Sequence, residues 1–419
     1  MKKVARSCLM SSNPPDLGSP TAHAYPGCHH GMNPRKIGSS IDRHRASPEV
    51  SFEQHRRRRV HVFGRSLMTR KAVYLDLRFW IGLRDAARYD TPGAMMDLLR
   101  ALRRAVAAGR VFCPITDSTF LEMFKQTDPR SRATTADLIS ELSLGATLLT
   151  YDMRVGTEIA HYVHAARTPE AVDPLRELVW SKPAYVMGFV DPVSMAFDPA
   201  TSLAIRKAFF DHMWEDVTLI QVCDMLGDKF VHADPLSFRE TTGRVNEQIR
   251  AHADSLKNMK TAYQHELVGV LDLYAGQLAT ILAPTLPPEA LPLPKEGTPE
   301  RAEVDRQCLA FLIGAFGTEA GRKALRTLHI NVTLHAAVRW NKGQALKAND
   351  LFDFQHACAA LAYCDAFFTE GPLCALVNRP DLGLVEQFGC LVSADVAACL
   401  AYVEDVVRDT TAYHGLKPT

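Results

Sequence analysis

The chain has 419 residues, 47% of them apolar and 23% charged, with a formal net charge of +1. That suits one large domain or two with a packed core. No run of 18 apolar residues occurs, the nearest (267–284) being broken by Asp272, so neither a membrane span nor, lacking an apolar h-region behind Lys2 and Lys3, a secretory signal is expected.

Charge is uneven along the chain. Residues 1–67 hold 12 Lys+Arg against 4 Asp+Glu, and the remainder holds 36 against 43. A mildly acidic body needs local basic patches or metal ions to meet a polyanion. Rich in Pro, Ser, Gly and His and without periodicity, 1–67 reads as a disordered basic tail, with Met68 a candidate natural start. Its HRRRR run (55–59) is read as a solvated charge run, and Cys28 with His29 and His30 as a weak metal motif. Ten cysteines without paired spacing point to reduced thiols and a cytoplasmic setting.

From Lys71 the pattern becomes α/β. KAVYLDL (71–77) is a short apolar run with a buried-strand signature that ends in Asp76. Residues 91–110 form an amphipathic helix with Thr91 as a plausible cap and Pro92 in its first turn. RVFCPIT is a second strand and DSTFLEMFKQ the helix after it; ATLLT (146–150) fits a strand or a helix end. Residues 151–327 read as a helical insertion, with a proline-rich break at 283–300. The tail returns to α/β: a helix over 350–364, the strand DAFFT, the strand GCLV, and a last helix with Ser393 as N-cap. The expected fold is therefore an α/β domain formed by 68–150 and 328–419, interrupted by 151–327.

Four carboxylates flank these apolar elements. Asp76 closes the first strand, Glu122 sits in the helix after the second, Asp353 opens the C-terminal helix, and Asp365 begins DAFFT. Ligands of a parallel sheet gather at the carboxyl ends of its strands, so Asp76, Glu122 and Asp353 are expected to converge. Two carboxylates about 4 Å apart repel by ~4 kcal/mol at an effective dielectric near 20, so such a group calls for protonation or a cation. Oxygen donors favour Mg²⁺ or Mn²⁺ over zinc. His356, three residues after Asp353, is weighed as a satisfied core histidine. Phe79 and Trp80 are read as core ahead of base stacking, and Arg100, Arg103 and Arg104 as a solvated helix face. Lys125, Arg130 and Arg132 are better placed to meet a nucleic acid. No dinucleotide fingerprint, P-loop or nucleophile elbow is found.

VYLDLRFW, PITDSTFLEMF and ANDLFDFQHACAALAYCDAFFTEG resemble the PIN-domain superfamily of metal-dependent ribonucleases. Asp76, Glu122 and Asp353 match that family's first three acids, and Asp353 to Thr369 has the expected spacing of sixteen residues. The chain departs at Gly371, where the family carries its fourth acid; Asp365 or Glu370 is the substitute. The resemblance covers about 70–125 and 328–395. It implies a three-layer α/β/α fold around a central parallel sheet, and an endoribonuclease that hydrolyses phosphodiesters with metal-activated water. Its ligands would be Asp76, Glu122, Asp353, Asp365 and Glu370, supported by Asn349, Asp350 and Thr369. The implied partners are RNA, an antitoxin-like protein in toxin-type members, and a second copy in a homodimer. A catalytically lapsed PIN-like module that binds RNA or a protein partner is the alternative.

Overall fold

The computed structural model describes residues 34–188, 197–226, 242–243, 246–247, 258–283, 292–341, 346–347 and 349–409. Two helices come first, α1 (Pro34–Arg45) and α2 (Phe52–Leu67). Ser51 starts α2 with a capping box: its hydroxyl accepts from the Gln54 amide, and the Gln54 side chain accepts from the Ser51 amide. The expectation of a disordered tail is thus wrong for 34–67, because its basic side chains find carboxylates far along the chain. His55 and Arg59 reach Asp211 and Glu215, and His61 and Arg65 reach Glu177. Gly64 lets α2 press close: a Cβ there would lie 1.8 Å from the Glu177 carbonyl oxygen. Cys28, His29 and His30 lie outside the described residues.

The strand β1 (Lys71–Leu75) buries every residue after Lys71, which is why it lacks polar alternation. α3 (Leu77–Tyr89), not foreseen from the sequence, follows at once because Asp76 caps it, accepting from the Phe79 amide at 3.1 Å. α4 (Ala94–Ala107) leads to β2 (Val111–Phe112), and β2 to α5 (Asp117–Phe124) and α6 (Pro129–Ser143). Next come β3 (Thr147–Leu148), α7 (Tyr151–Arg167) and β4 (Trp180–Ser181), with β3 and β4 forming a separate antiparallel pair. Helices α8 (Pro199–Glu215), α9 (Met259–Leu282), α10 (Pro299–Phe316) and α11 (Arg326–Trp340) follow. α12 (Asp350–Tyr363), β5 (Ala366–Phe368), α13 (Gly371–Val377), β6 (Leu391–Ser393) and α14 (Val396–Arg408) complete the described chain. The N-cap of α14 is Asp395, not Ser393, because the Asp395 carboxylate accepts from the amides of Ala397 and Ala398.

The main sheet is parallel in the order β2-β1-β5-β6, with Val73 beside Ala366 and Leu75 beside Phe368. Successive side chains point to opposite faces. Val73, Leu75, Ala366 and Phe368 join an apolar cluster with α3, α4, α5, α6 and α14. Ala72, Tyr74 and Phe367 join another with α7, α9, α10, α11 and α12. The protein is mostly helical with a small parallel sheet; α7, α9, α10 and α11 share their core with one face of that sheet, while Met213 of α8 joins the cluster on the other.

Candidate functional site

The topology brings three distant acids to one end of the sheet. Asp76 follows β1, and its amide donates to the Phe368 carbonyl, so it stands level with Thr369 after β5. Glu122 lies on α5, which leaves β2 at the same end. α12 ends beside the amino end of β5, and a 14-residue helix is about 21 Å long. Its first turns therefore return to the carboxyl end and carry Asp353 and His356 there.

His356 joins the acids. It is buried, its Nε2 lies 2.8 Å from Glu122 Oε2, and its Nδ1 lies 2.6 Å from the Tyr74 hydroxyl. The Tyr74 oxygen is in turn 2.9 Å from the hydroxyls of Thr116 and Thr119. Burial disfavours the imidazolium, yet Glu122, Asp76 and Asp353 together raise His356 above its ordinary value. Burial likewise opposes ionisation of Glu122, but His356 holds that carboxyl below its usual range. Both shifts favour the imidazolium–carboxylate form of the pair, in which each ring nitrogen would donate.

The two aspartates both shift upward, opposite to Glu122. Burial pushes Asp76 up to about 6, against the Phe79 amide and Thr369 hydroxyl that bond its carboxylate. Burial pushes Asp353 up to about 7, with Glu122, Asp350 and Glu370 adding repulsion. One internal cation therefore does not balance the acids gathered here. Lys125 stands at the rim with its ammonium 3.6 Å from the Phe352 ring centre; burial lowers its pKa, and Glu122 and Asp353 oppose that.

Asp365 must be removed from this site. In the parallel register it lies at the amino end of β5, accepting from the Ala72 amide at 2.9 Å. The three residues of β5 separate it from Thr369, a rise of about 13 Å over four residue steps. It is neutralised there by Lys71 at 2.9 Å and by Arg176. Glu370, exposed at the start of α13, is near enough to act on Asp76 and Asp353. Thr369 is buried and bonds Asp76. Asp350 accepts from the Lys347 amide, while Asn349 is exposed and makes no side-chain cap. Arg132 is bound to the Gln126 carbonyl and lies over Phe124, so it braces the turn before α6; Arg130 is exposed there. Phe79 and Trp80 are buried core.

His356, weighed from the sequence as a satisfied core histidine, is buried with both ring nitrogens partnered. Its spacing from Asp353 put it on the acid face of α12, but only the fold supplies Tyr74 and Glu122 as its partners. Among the described residues, two sets bring three ligand atoms within 4.8 Å of one another and could hold a metal ion: His44 with His55 and Asp211, and His61 with Asp173 and Glu177. The carboxylates of Asp76, Glu122 and Asp353 are more widely spaced than that. Comparison with protein-family models, curated proteins and solved structures finds no match.

Proposed function

We propose that the chain is a divalent-metal-dependent endoribonuclease with a PIN-like three-layer α/β/α domain. One observation carries this reading: buried Asp76 and half-buried Asp353 lie with Glu122 and Glu370 at the carboxyl end of a parallel sheet, with acid left unbalanced by His356.

The residues fit Mg²⁺ or Mn²⁺. The free donors are oxygens, and the imidazole is already engaged at both nitrogens. The wide spacing suits a hydrated ion held by one or two carboxylates and several waters. Asp76 and Asp353 would hold it, with Glu370 beside them. When bound, such an ion lowers the pKa of its water and offsets charge on a phosphodiester. The chain's own groups do the rest: Thr369 and the Phe79 amide fix the Asp76 carboxylate, His356 keeps Glu122 ionised and in place, and Lys125 offers its ammonium to a phosphate oxygen at the rim. An antitoxin-like partner, a homodimer and a cytoplasmic setting belong to the same proposal.

Purified protein is expected to cut single-stranded or structured RNA with Mn²⁺ or Mg²⁺, and Asp76→Asn to lower the rate at least about 100-fold. Cleavage unchanged in Asp76→Asn rejects the assignment. The second reading is a catalytically lapsed module that binds RNA or protein. It is favoured by Gly371 in place of an acid and by the internal cation His356. Calorimetry separates the two: Mn²⁺ binding that disappears in Asp353→Asn supports the enzyme, and no binding supports the module.

A further inference from the structure

A second cluster, outside the acid pocket, ties the first two helices to the body. His44 ends α1, His55 lies on α2, and Asp211 lies on α8. His44 Nε2 is 2.8 Å from Asp211 Oδ2, and His55 Nε2 is 2.9 Å from Asp211 Oδ1. The two rings meet edge to face with centroids 4.7 Å apart. All three side chains are largely shielded, at 10%, 13% and 11% exposure. From these contacts we infer that His44, His55 and Asp211 form a zinc site that clips α1 and α2 onto α8.

Two imidazoles and one carboxylate on three separate helices form a three-ligand set with room for a water as the fourth ligand. Bonds of about 2.0–2.2 Å to a tetrahedral ion put ligand atoms roughly 3.4 Å apart. Each imidazole–carboxylate contact opens by about 0.5 Å to reach that spacing, and the three ligand atoms already lie within 4.8 Å of one another. Two further donors stand at the Asp211 carboxylate. Arg59 Nε is buried, lacks a hydrogen-bond partner, and points at Asp211 Oδ1 from 3.6 Å. Ser40 Oγ lies 3.4 Å from Oδ2. Both donors stand beside the carboxylate, and such groups are the outer contacts that ligating carboxylates use. Glu215 pairs with Arg59 and offsets its charge.

The neighbouring set, His61 with Asp173 and Glu177, is less suited. Arg65 donates to both carboxylates and also lies 3.2 Å from His61 Nε2, so a fixed cation occupies the ligand atoms. Imidazole nitrogens also separate the clip from the acid pocket, since they favour zinc over magnesium.

The test uses the full chain, stripped with chelator and then given Zn²⁺ or Co²⁺ alone. We expect about one zinc per chain after desalting, a Tm raised by about 5 °C, no displacement by millimolar Mg²⁺, and the visible absorption of tetrahedral cobalt. His44→Gln with His55→Gln should lose the zinc and the spectrum, whereas Asp76→Asn and His61→Gln should keep both. Zinc retained by the double variant, no zinc in the wild type, or an octahedral cobalt spectrum overturns the inference. The wild-type spectrum decides if the double variant does not fold.

Discussion

The two ends of the same parallel sheet treat an aspartate in opposite ways. At the amino end, burial would raise Asp365, but Arg176 and Lys71 hold it below the ordinary carboxylate range. At the carboxyl end, burial raises Asp76 to about 6 and Asp353 to about 7, since His356 is already committed to Glu122. An acid that the chain neutralises is part of the framework. Acids that the chain buries and leaves unbalanced are destabilising unless something else binds there, and this makes the carboxyl end the functional candidate.

The strongest way to break the comparison is to remove the internal cation. His356→Gln keeps much of the volume but leaves Glu122, Asp76 and Asp353 uncompensated. It is expected to cost about 3 kcal/mol in metal-free protein, with part of the loss recovered in Mn²⁺, as read by thermal melts with and without the ion. A melt unchanged by the substitution would show that His356 is not balancing the acids.

The next test is pH. Asp76 and Asp353 have raised values in the fold, so the native state holds protons that the unfolded chain has released between about pH 4 and 7. In chelated protein their contribution to stability therefore falls as pH rises through that window, by up to about 1.4 kcal/mol per pH unit for each group. Saturating Mn²⁺ should flatten that slope. Asp365 has the opposite sign: its contribution is present above the ordinary aspartate value and is lost as pH falls below it. Melting curves of Asp365→Asn and Asp353→Asn across pH would separate the two.

The smallest effect is expected at the amino end itself. Asp365→Asn should cost about 1–2 kcal/mol, since Lys71 is half exposed and Arg176 partly so. RNA cleavage and the metal response should stay as in the wild type. A loss of cleavage as deep as that of Asp76→Asn would return Asp365 to the site.

Much of the sheet was legible because buried parallel strands are short, unbroken apolar runs, as at 72–75 and 366–368. The helix behind Asp76 was missed because its first residues, LRFW, continue an apolar run and the cap is itself the candidate ligand. The N-terminal helices were missed for another reason. Their polar composition resembles a tail until Asp211, Glu215 and Glu177, more than a hundred residues away, are placed opposite them.

The sequence by itself determined which acids follow apolar elements, because strand and helix periods are local properties of side chains. Only the tertiary structure decided which end of the sheet each acid occupies and which cation stands beside it. Strand direction and register place Asp76 with Asp353 and send Asp365 to the far end, and those depend on pairings between β1 and β5 that no local stretch encodes.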